Sequence, residues 1–147
     1  MAAGSWVIYH EFKLALGNKL VDLDTDTLKC ALFLSTSNAG SASLATARYA
    51  TLTNQHANGN GYTTGGVTVA GTFSNSSGTI TFDVADPSWT ASGGSIVARF
   101  AVLYSDTATN KDLIAYCLLD SAPADVTVAD GNILTIQINA SGVFQLT

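Results

Sequence analysis

Residues 95–120, SIVARFAVLYSDTATNKDLIAYCLLD, form the stretch from which we predict the fold. Two apolar runs, 96–104 and 113–119, flank a polar connection over residues 105–112. Runs of this length, rich in β-branched and aromatic residues and bounded by turn formers, are typical of two paired strands. Because both faces of the first run are largely apolar, we predict a central strand that is covered on two sides.

Short strands separated by turn residues are predicted on both sides of this hairpin. In the run 27–34, Leu28, Cys30 and Leu32 alternate with residues of the opposite face, which is the two-residue period of a strand. Gly, Asn, Asp and Ser clusters divide the remaining apolar runs. The predicted fold is therefore all-β, a β-sandwich or jelly-roll-like barrel. At 147 residues, the chain is predicted to be a single domain, 1–147.

Two segments depart from this strand pattern. A short N-terminal helix is predicted over about 5–16, with Ser5 as its cap and Gly17-Asn18 as its end. Residues from about 35 to 66 are small, polar and irregular, which predicts a long polar loop. A connection of that length is usually functional or mobile.

The composition predicts that part of the protein surface is covered by a binding partner. Charged residues make up 12% of the chain, about half the usual share. A surface so poor in charge favours association with copies of the chain or with a large partner. The net charge of -5 and the scattered basic residues argue against nucleic acid as a partner.

The sequence also predicts where the chain folds. No apolar run approaches the roughly 20 residues of a membrane helix, so we expect no membrane partner. The N-terminus lacks a basic region followed by an apolar one, so we expect folding in a cytosol without secretion. Cys30 and Cys117 lie in apolar strand patterns, which favours buried free thiols over a disulfide.

Two segments begin like metal-binding motifs and then diverge. Asp22-x-Asp24-x-Asp26 opens like a calcium loop, but the glycine and the glutamate that complete such a loop are absent. His10-Glu11 opens like a zinc-protease motif without its second histidine. We therefore predict a solvated turn at the aspartates and no metal site.

Catalysis is not predicted either. Gly59-x-Gly61 lacks the strand-to-helix context of a dinucleotide site, so no cofactor is expected. His56 lies in the polar loop, and no Gly-x-Ser-x-Gly nucleophile elbow is present. A Ser-His-Asp set assembles from residues distant in sequence, so this alternative stays open in a serine-rich chain. We predict no catalytic residues and a chain that is not an enzyme.

Two large side chains have structural interpretations. Arg99 lies on the predicted central strand, where an unpaired buried guanidinium would cost several kcal/mol. We therefore predict a structural ion pair, with Asp83, Asp86 or Asp120 as the partner. Trp89 precedes a glycine-rich connection and is predicted to fill the core at a sheet corner.

A Ser-, Thr- and Gly-rich β domain without a secretory signal or disulfides fits a protein that assembles inside a cell and leaves it within a particle. This setting is a virion, and a bacteriophage is its simplest case. Particular segments strengthen the inference. They are residues 59–67 (GNGYTTGGV), Trp89 before Gly93-Gly94, residues 98–104 (ARFAVLY), 113–116 (LIAY), Asp130-Gly131, residues 136–139 (IQIN), and the aromatic N-terminal helix followed by residues 23–29 (LDTDTLK).

In these segments the chain resembles a family of small virion structural proteins of tailed bacteriophages, over nearly its whole length. The resemblance implies a capsid decoration or cement protein, or another structural component, and it implies no catalytic residues. The expected partners are the major capsid protein and further copies of the chain, as a dimer or trimer. The expected location is the capsid surface of the virion, after assembly in the host bacterial cytoplasm.

Two other functions remain as alternatives. One is a structural component of the tail or a fibre, and the other is a carbohydrate-binding module that uses Trp89 and exposed tyrosines. For decoration, contacts are expected in the segment 6–12 and in the long loop, and truncating Trp6 or Tyr9 is expected to lower capsid occupancy without unfolding the domain. The predicted contact residues are Trp6, Ile8, Tyr9, Phe12, Tyr49 and Tyr62.

Overall fold

The chain forms several antiparallel sheets and one short helix, in a computed structural model that describes residues 4–121 and 124–147. The predicted all-β class with a short helix is confirmed. Two 3-10 turns, Asn38–Gly40 and Tyr49–Thr51, lie in the long loop. In chain order the other elements are β1 (Val7–Ile8), α1 (His10–Gly17), β2 (Leu28–Phe33), β3 (Val67–Val69), β4 (Gly71–Ser76), β5 (Thr79–Val84), β6 (Ser88–Thr90), β7 (Ile96–Ala98), β8 (Phe100–Ser105), β9 (Leu113–Leu118), β10 (Val126–Val128), β11 (Ile133–Thr135) and β12 (Phe144–Leu146).

The largest sheet has five strands in the order β1-β9-β8-β2-β3, all antiparallel. Strand β8 lies at its centre, as predicted, with Ala101 opposite Cys117 on one side and Val102 opposite Ala31 on the other. Residues 101–105 are all buried, because this strand packs on both faces. Strands β2, β8 and β9 therefore supply a large part of the buried core.

The predicted strand 96–104 is two strands, and Arg99 separates them. Strand β7 pairs with β10 in a two-stranded sheet, whereas β8 belongs to the five-stranded sheet. The main chain of Arg99 stays bonded, because its N–H donates to the carbonyl of Phe33 at 2.7 Å and its carbonyl accepts from Leu119 at 2.9 Å. One continuous segment thus links two sheets.

A three-stranded sheet in the order β12-β5-β4 forms the second part of the fold. Strands β4 and β5 are a hairpin whose two-residue turn, Ser77-Gly78, has positive φ at both positions. That conformation matches the right-handed twist of paired strands, and glycine adopts it at little cost. The segment 67–76 divides at Ala70, because β3 pairs with β2 and β4 pairs with β5.

The helix begins later than predicted, at His10 and not near Ser5. Val7 and Ile8 form strand β1 and pair with Tyr116 and Ala115 of β9. The β-branched side chains of this segment favour a strand. Among the described residues, no helix combines the length and the apolar character that crossing a bilayer requires.

Both cysteines are free and buried, as predicted. Cys30 lies on β2 and Cys117 on β9, with β8 between them. Burial raises the pKa of the Cys117 thiol to about 12 and also raises the pKa of Cys30 well above its usual value. Both thiols therefore stay protonated at neutral pH and behave as core residues.

Candidate functional site

An apolar groove lies between helix α1 and β12, an edge strand of the three-stranded sheet. Its volume is about 290 Å³. The lining residues define the apolar groove, and they are Ile8, Phe12, Lys13, Leu16, Phe144, Gln145 and Leu146.

Contacts between aromatic rings hold the helix beside the sheet. Phe12 and Leu16 are four residues apart and therefore share a face of the helix. The Phe12 ring centroid lies 5.9 Å from that of Phe144, which lies 5.1 Å from that of Phe82 in β5. These separations are within the range of favourable aromatic pairs, so the walls of the groove are fixed by core packing.

The chemistry of the apolar groove suits hydrocarbon side chains. Leu146 leaves 51% of its surface exposed at the groove, and Ile8 and Leu16 are half-buried. The polar side chains of the lining are Lys13 and Gln145, and no carboxylate lines the groove. An exposed apolar patch bordered by polar residues is typical of a protein interaction site.

The structure places the six predicted contact residues in four groups. Ile8 and Phe12 line the apolar groove, although Phe12 itself is buried. Trp6 is half-buried in a neighbouring small cleft. Tyr9 is fully buried, and its hydroxyl donates to the carbonyl of Ala39 at 2.6 Å. Tyr9 therefore belongs to the core and not to the exposed contact surface, and truncating it is expected to destabilise the domain.

The other two predicted contact residues belong to a hydrogen-bonded network under the long loop. The Tyr49 hydroxyl donates to Gln55, whose amide donates to the Tyr62 hydroxyl at 2.6 Å. The Tyr62 hydroxyl in turn accepts from the main-chain N–H of Leu32 at 3.1 Å. Tyr62 is buried and Tyr49 is half-buried, so the network fastens the loop to β2.

Sequence reasoning missed the β12 wall of the apolar groove. Phe144 and Leu146 lie on β12, and the residues around them carry no signal of where that strand lies in the fold. The placement comes from pairing of β12 with β5, where Phe144 lies opposite Phe82. A long-range pairing of this kind has no local sequence signal.

The structure assigns the two predicted large side chains to different surroundings. Trp89 is 3% exposed, in agreement with a core residue, and its Nε1 has no hydrogen-bond partner among the described residues. The Arg99 guanidinium donates to the carbonyl of Ala124 at 2.9 Å. Among the described residues no ion pair joins Arg99 to Asp83 or Asp86, so the ion pair of Arg99 stays a prediction that now concerns Asp120.

The three aspartates of the 22–26 segment form a turn. Asp22 accepts from the N–H groups of Asp24 and Thr25, which lowers its pKa. Asp26 accepts from the hydroxyl of Ser105 at 2.7 Å and so ties the turn to the end of β8. Within residues 4–121 and 124–147, no group of three or more His, Cys, Asp and Glu side chains is placed to hold a metal ion.

His56 is buried beside Tyr62, with ring centroids 5.2 Å apart. Its Nε2 has no hydrogen-bond partner within the described part of the chain. Burial lowers the pKa of the imidazole, and a main-chain hydrogen bond with Val97 opposes part of that shift. The geometry is that of a neutral core histidine without a nucleophile at its Nε2.

We expect the free energy of unfolding to fall as the pH decreases from about 6.5, the ordinary pKa of histidine. The pKa of His56 is lower in the folded chain, so the unfolded chain binds more protons in this window and acidification favours unfolding. Urea unfolding at pH 7.5 and pH 5.5 measures the effect. His56→Gln should flatten the dependence, whereas His10→Gln, at an exposed site, should leave it intact. Equal slopes in the wild type and His56→Gln would contradict this assignment.

Comparisons of the chain with protein-family models, with curated proteins and with solved structures found no match.

Proposed function

We propose that this chain is a structural virion protein that decorates and cements the outside of a bacteriophage capsid by bridging subunits of the major capsid protein. The observation that carries the proposal is the apolar groove, which opens beside the predicted contact segment. The low charge and the resemblance of the chain to small virion proteins of tailed phages support the same proposal.

The mechanism is mechanical. Each copy covers the boundary between neighbouring capsid subunits and adds buried contact area that internal pressure must overcome. A standard interface buries about 800 Å² on each partner, which is more than the groove alone supplies. We therefore expect the apolar groove to receive an anchoring apolar side chain of the capsid protein, while flatter surfaces such as the long loop supply the surrounding contacts.

Electron cryomicroscopy of particles that carry the chain tests the location. Decoration requires hundreds of copies on the capsid exterior, with helix α1 and β12 facing the shell. Density in the tail or fibres at tens of copies or fewer would replace decoration by the tail alternative. Complete absence from particles would overturn both.

Leu146→Asp tests the apolar groove directly. The substitution places a carboxylate in an apolar contact, so we expect affinity for capsids to fall about tenfold or more, or ~1.4 kcal/mol. Occupancy is measured by adding purified variant to particles that lack the chain. Ile133→Asp on β11 is the matched control, because Ile133 is 63% exposed and lies outside the groove. Equal occupancy of the two variants would exclude the groove as the contact.

The position of Trp89 argues against the carbohydrate-binding alternative. A ring that stacks on a sugar must be exposed, and Trp89 is buried. Binding of the isolated chain to a glycan array would nevertheless favour that function over decoration.

A further inference from the structure

Strand β4 is the longest open edge in the described part of the fold. It spans six residues and pairs only with β5, whereas the edge strands β1, β3 and β12 have two or three residues each. All six residues of β4 are exposed. The strand has no charged residue and no proline, which are the features that usually prevent one edge from pairing with another.

The hairpin register identifies which main-chain groups of β4 are unpaired. In a hairpin with a two-residue turn, the residues that flank the turn, here Ser76 and Thr79, form a hydrogen-bonded pair. Bonding then alternates along the strand, and Ala70 follows the same alternation by accepting from Ala85 at 2.9 Å. The N–H and C=O groups of Gly71, Phe73 and Asn75 therefore point away from β5.

Phe73 lies at the middle of this open edge. Its ring packs 5.0 Å from that of the buried Phe82, yet 46% of Phe73 is exposed. The aromatic core of the three-stranded sheet thus continues to the edge and ends there without a cover. A further strand on this edge would bond the free main-chain groups and cover the ring at the same time.

We propose that β4 pairs with β4 of a second copy, antiparallel, about a two-fold axis at Phe73. Phe73 then lies opposite Phe73 of the partner subunit, and Gly71 opposite Asn75 of the partner subunit. In this register all three outward residues of each copy lie in hydrogen-bonded pairs. A second copy is the occupant that this edge favours, because the strand is neutral and its self-pairing brings no like charges together despite the net charge of -5.

The result is one continuous six-stranded sheet across two copies, in the order β12-β5-β4-β4-β5-β12. The apolar groove of each copy borders a β12 strand, so the two grooves lie toward opposite ends of this sheet. The pairing itself does not depend on the proposed function, and its test uses the isolated chain.

Sedimentation velocity from about 1 µM to about 1 mM, the range in which weak interfaces dissociate, is the first measurement. We expect a reversible monomer–dimer equilibrium. Phe73→Lys should raise the dissociation constant about tenfold, since it loses an aromatic pair and places like charges opposite each other. Ile133→Lys, an equivalent change at an exposed residue of β11, should leave the constant unchanged.

Cysteine substitution tests the register. Phe73→Cys places two thiols directly opposite each other, within the roughly 7 Å between Cα atoms that a disulfide tolerates. Asn75→Cys lies on the same face of the same strand, but its two copies would be about 14 Å apart. Mild oxidation should therefore link Phe73→Cys and not Asn75→Cys. Cys30 and Cys117 are buried, so we do not expect them to form crosslinks between copies.

Three outcomes overturn the proposal. These are a monomer at every concentration, a dimer that Phe73→Lys does not weaken, or a dimer in which the two cysteine variants link equally. If the chain is monomeric and Phe73→Lys lowers occupancy on capsids, the occupant of the edge is a capsid segment instead. If the proposed β4 pairing is wrong, the expected result of the Leu146→Asp experiment on the apolar groove does not change.

Discussion

Gly66→Ala is expected to lower the free energy of unfolding by about 4 kcal/mol, a large part of the 5–15 kcal/mol typical of a domain. Gly66 has φ +79°, and a Cβ atom added there would lie 1.8 Å from the carbonyl oxygen of Cys30. That oxygen belongs to the main chain of β2, so no side chain can turn away to make room. The turn before β3 would have to move off the central sheet. Urea unfolding followed by circular dichroism measures the loss.

Gly131→Ala separates the steric clash from the strain of a positive φ. Gly131 has nearly the same φ, +81°, but nothing lies within 4 Å of its added Cβ. We expect this control to lose only the roughly 1–2 kcal/mol of the left-handed conformation. If both variants lost the same amount, the close approach of Gly66 to β2 would not be what stabilises this turn.

Tyr9→Ala is expected to destabilise the domain by about 3–5 kcal/mol, the range for removing a buried aromatic ring. Tyr9 joins three parts of the fold. Its N–H donates to Ile114 at 3.1 Å, its hydroxyl donates to Ala39, and its ring lies 5.3 Å from that of Tyr116. Burial of this hydroxyl raises the pKa of Tyr9 above its usual value. Thermal and urea unfolding measure the change.

Two further variants compare the loss in Tyr9→Ala with the loss of its hydroxyl alone and with the loss of a half-buried ring. Tyr9→Phe keeps the ring and leaves the buried carbonyl of Ala39 without its donor, so we expect a loss of about 1–2 kcal/mol. Trp6→Ala removes a larger ring at a half-buried site and should cost less than Tyr9→Ala. If Tyr9→Ala were as stable as the wild type, the assignment of Tyr9 to the core would be contradicted.

The strand pattern predicted the centre of the fold because both faces of β8 and β9 are apolar along their length. The alternation of Leu28, Cys30 and Leu32 likewise predicted β2. These signals are local, since each depends on residues within one run or one turn.

The breaks between sheets could not be predicted in this way. Arg99 looks like one residue of a continuous strand, and only the pairing of β7 with β10 shows that the segment enters a second sheet. Ala70 divides the segment 67–76 for the same reason. A change of pairing partner depends on distant segments, whereas propensity and periodicity are properties of neighbouring residues.

Only one wall of the apolar groove was predicted from the sequence. The expected contact segment 6–12 in the predicted helix included Ile8 and Phe12, which line the apolar groove. The same segment included Tyr9, which the structure buries, because a hydrophobic run does not reveal which of its members face inward. The opposite wall needed the pairing of β12 with β5.

The order of the five-stranded sheet has a consequence for synthesis. Strand β2 ends at Phe33, but its neighbours in the sheet begin at Val67 and Phe100, and β1 pairs with a strand that ends at Leu118. At about 5–20 residues per second, a ribosome needs several seconds to make the segments that separate these partners. Strand β1 therefore has no partner until Leu118 has been made, and β2 lacks its central neighbour β8 until Ser105 has been made, so the nascent chain exposes apolar strands for seconds before the five-stranded sheet can close.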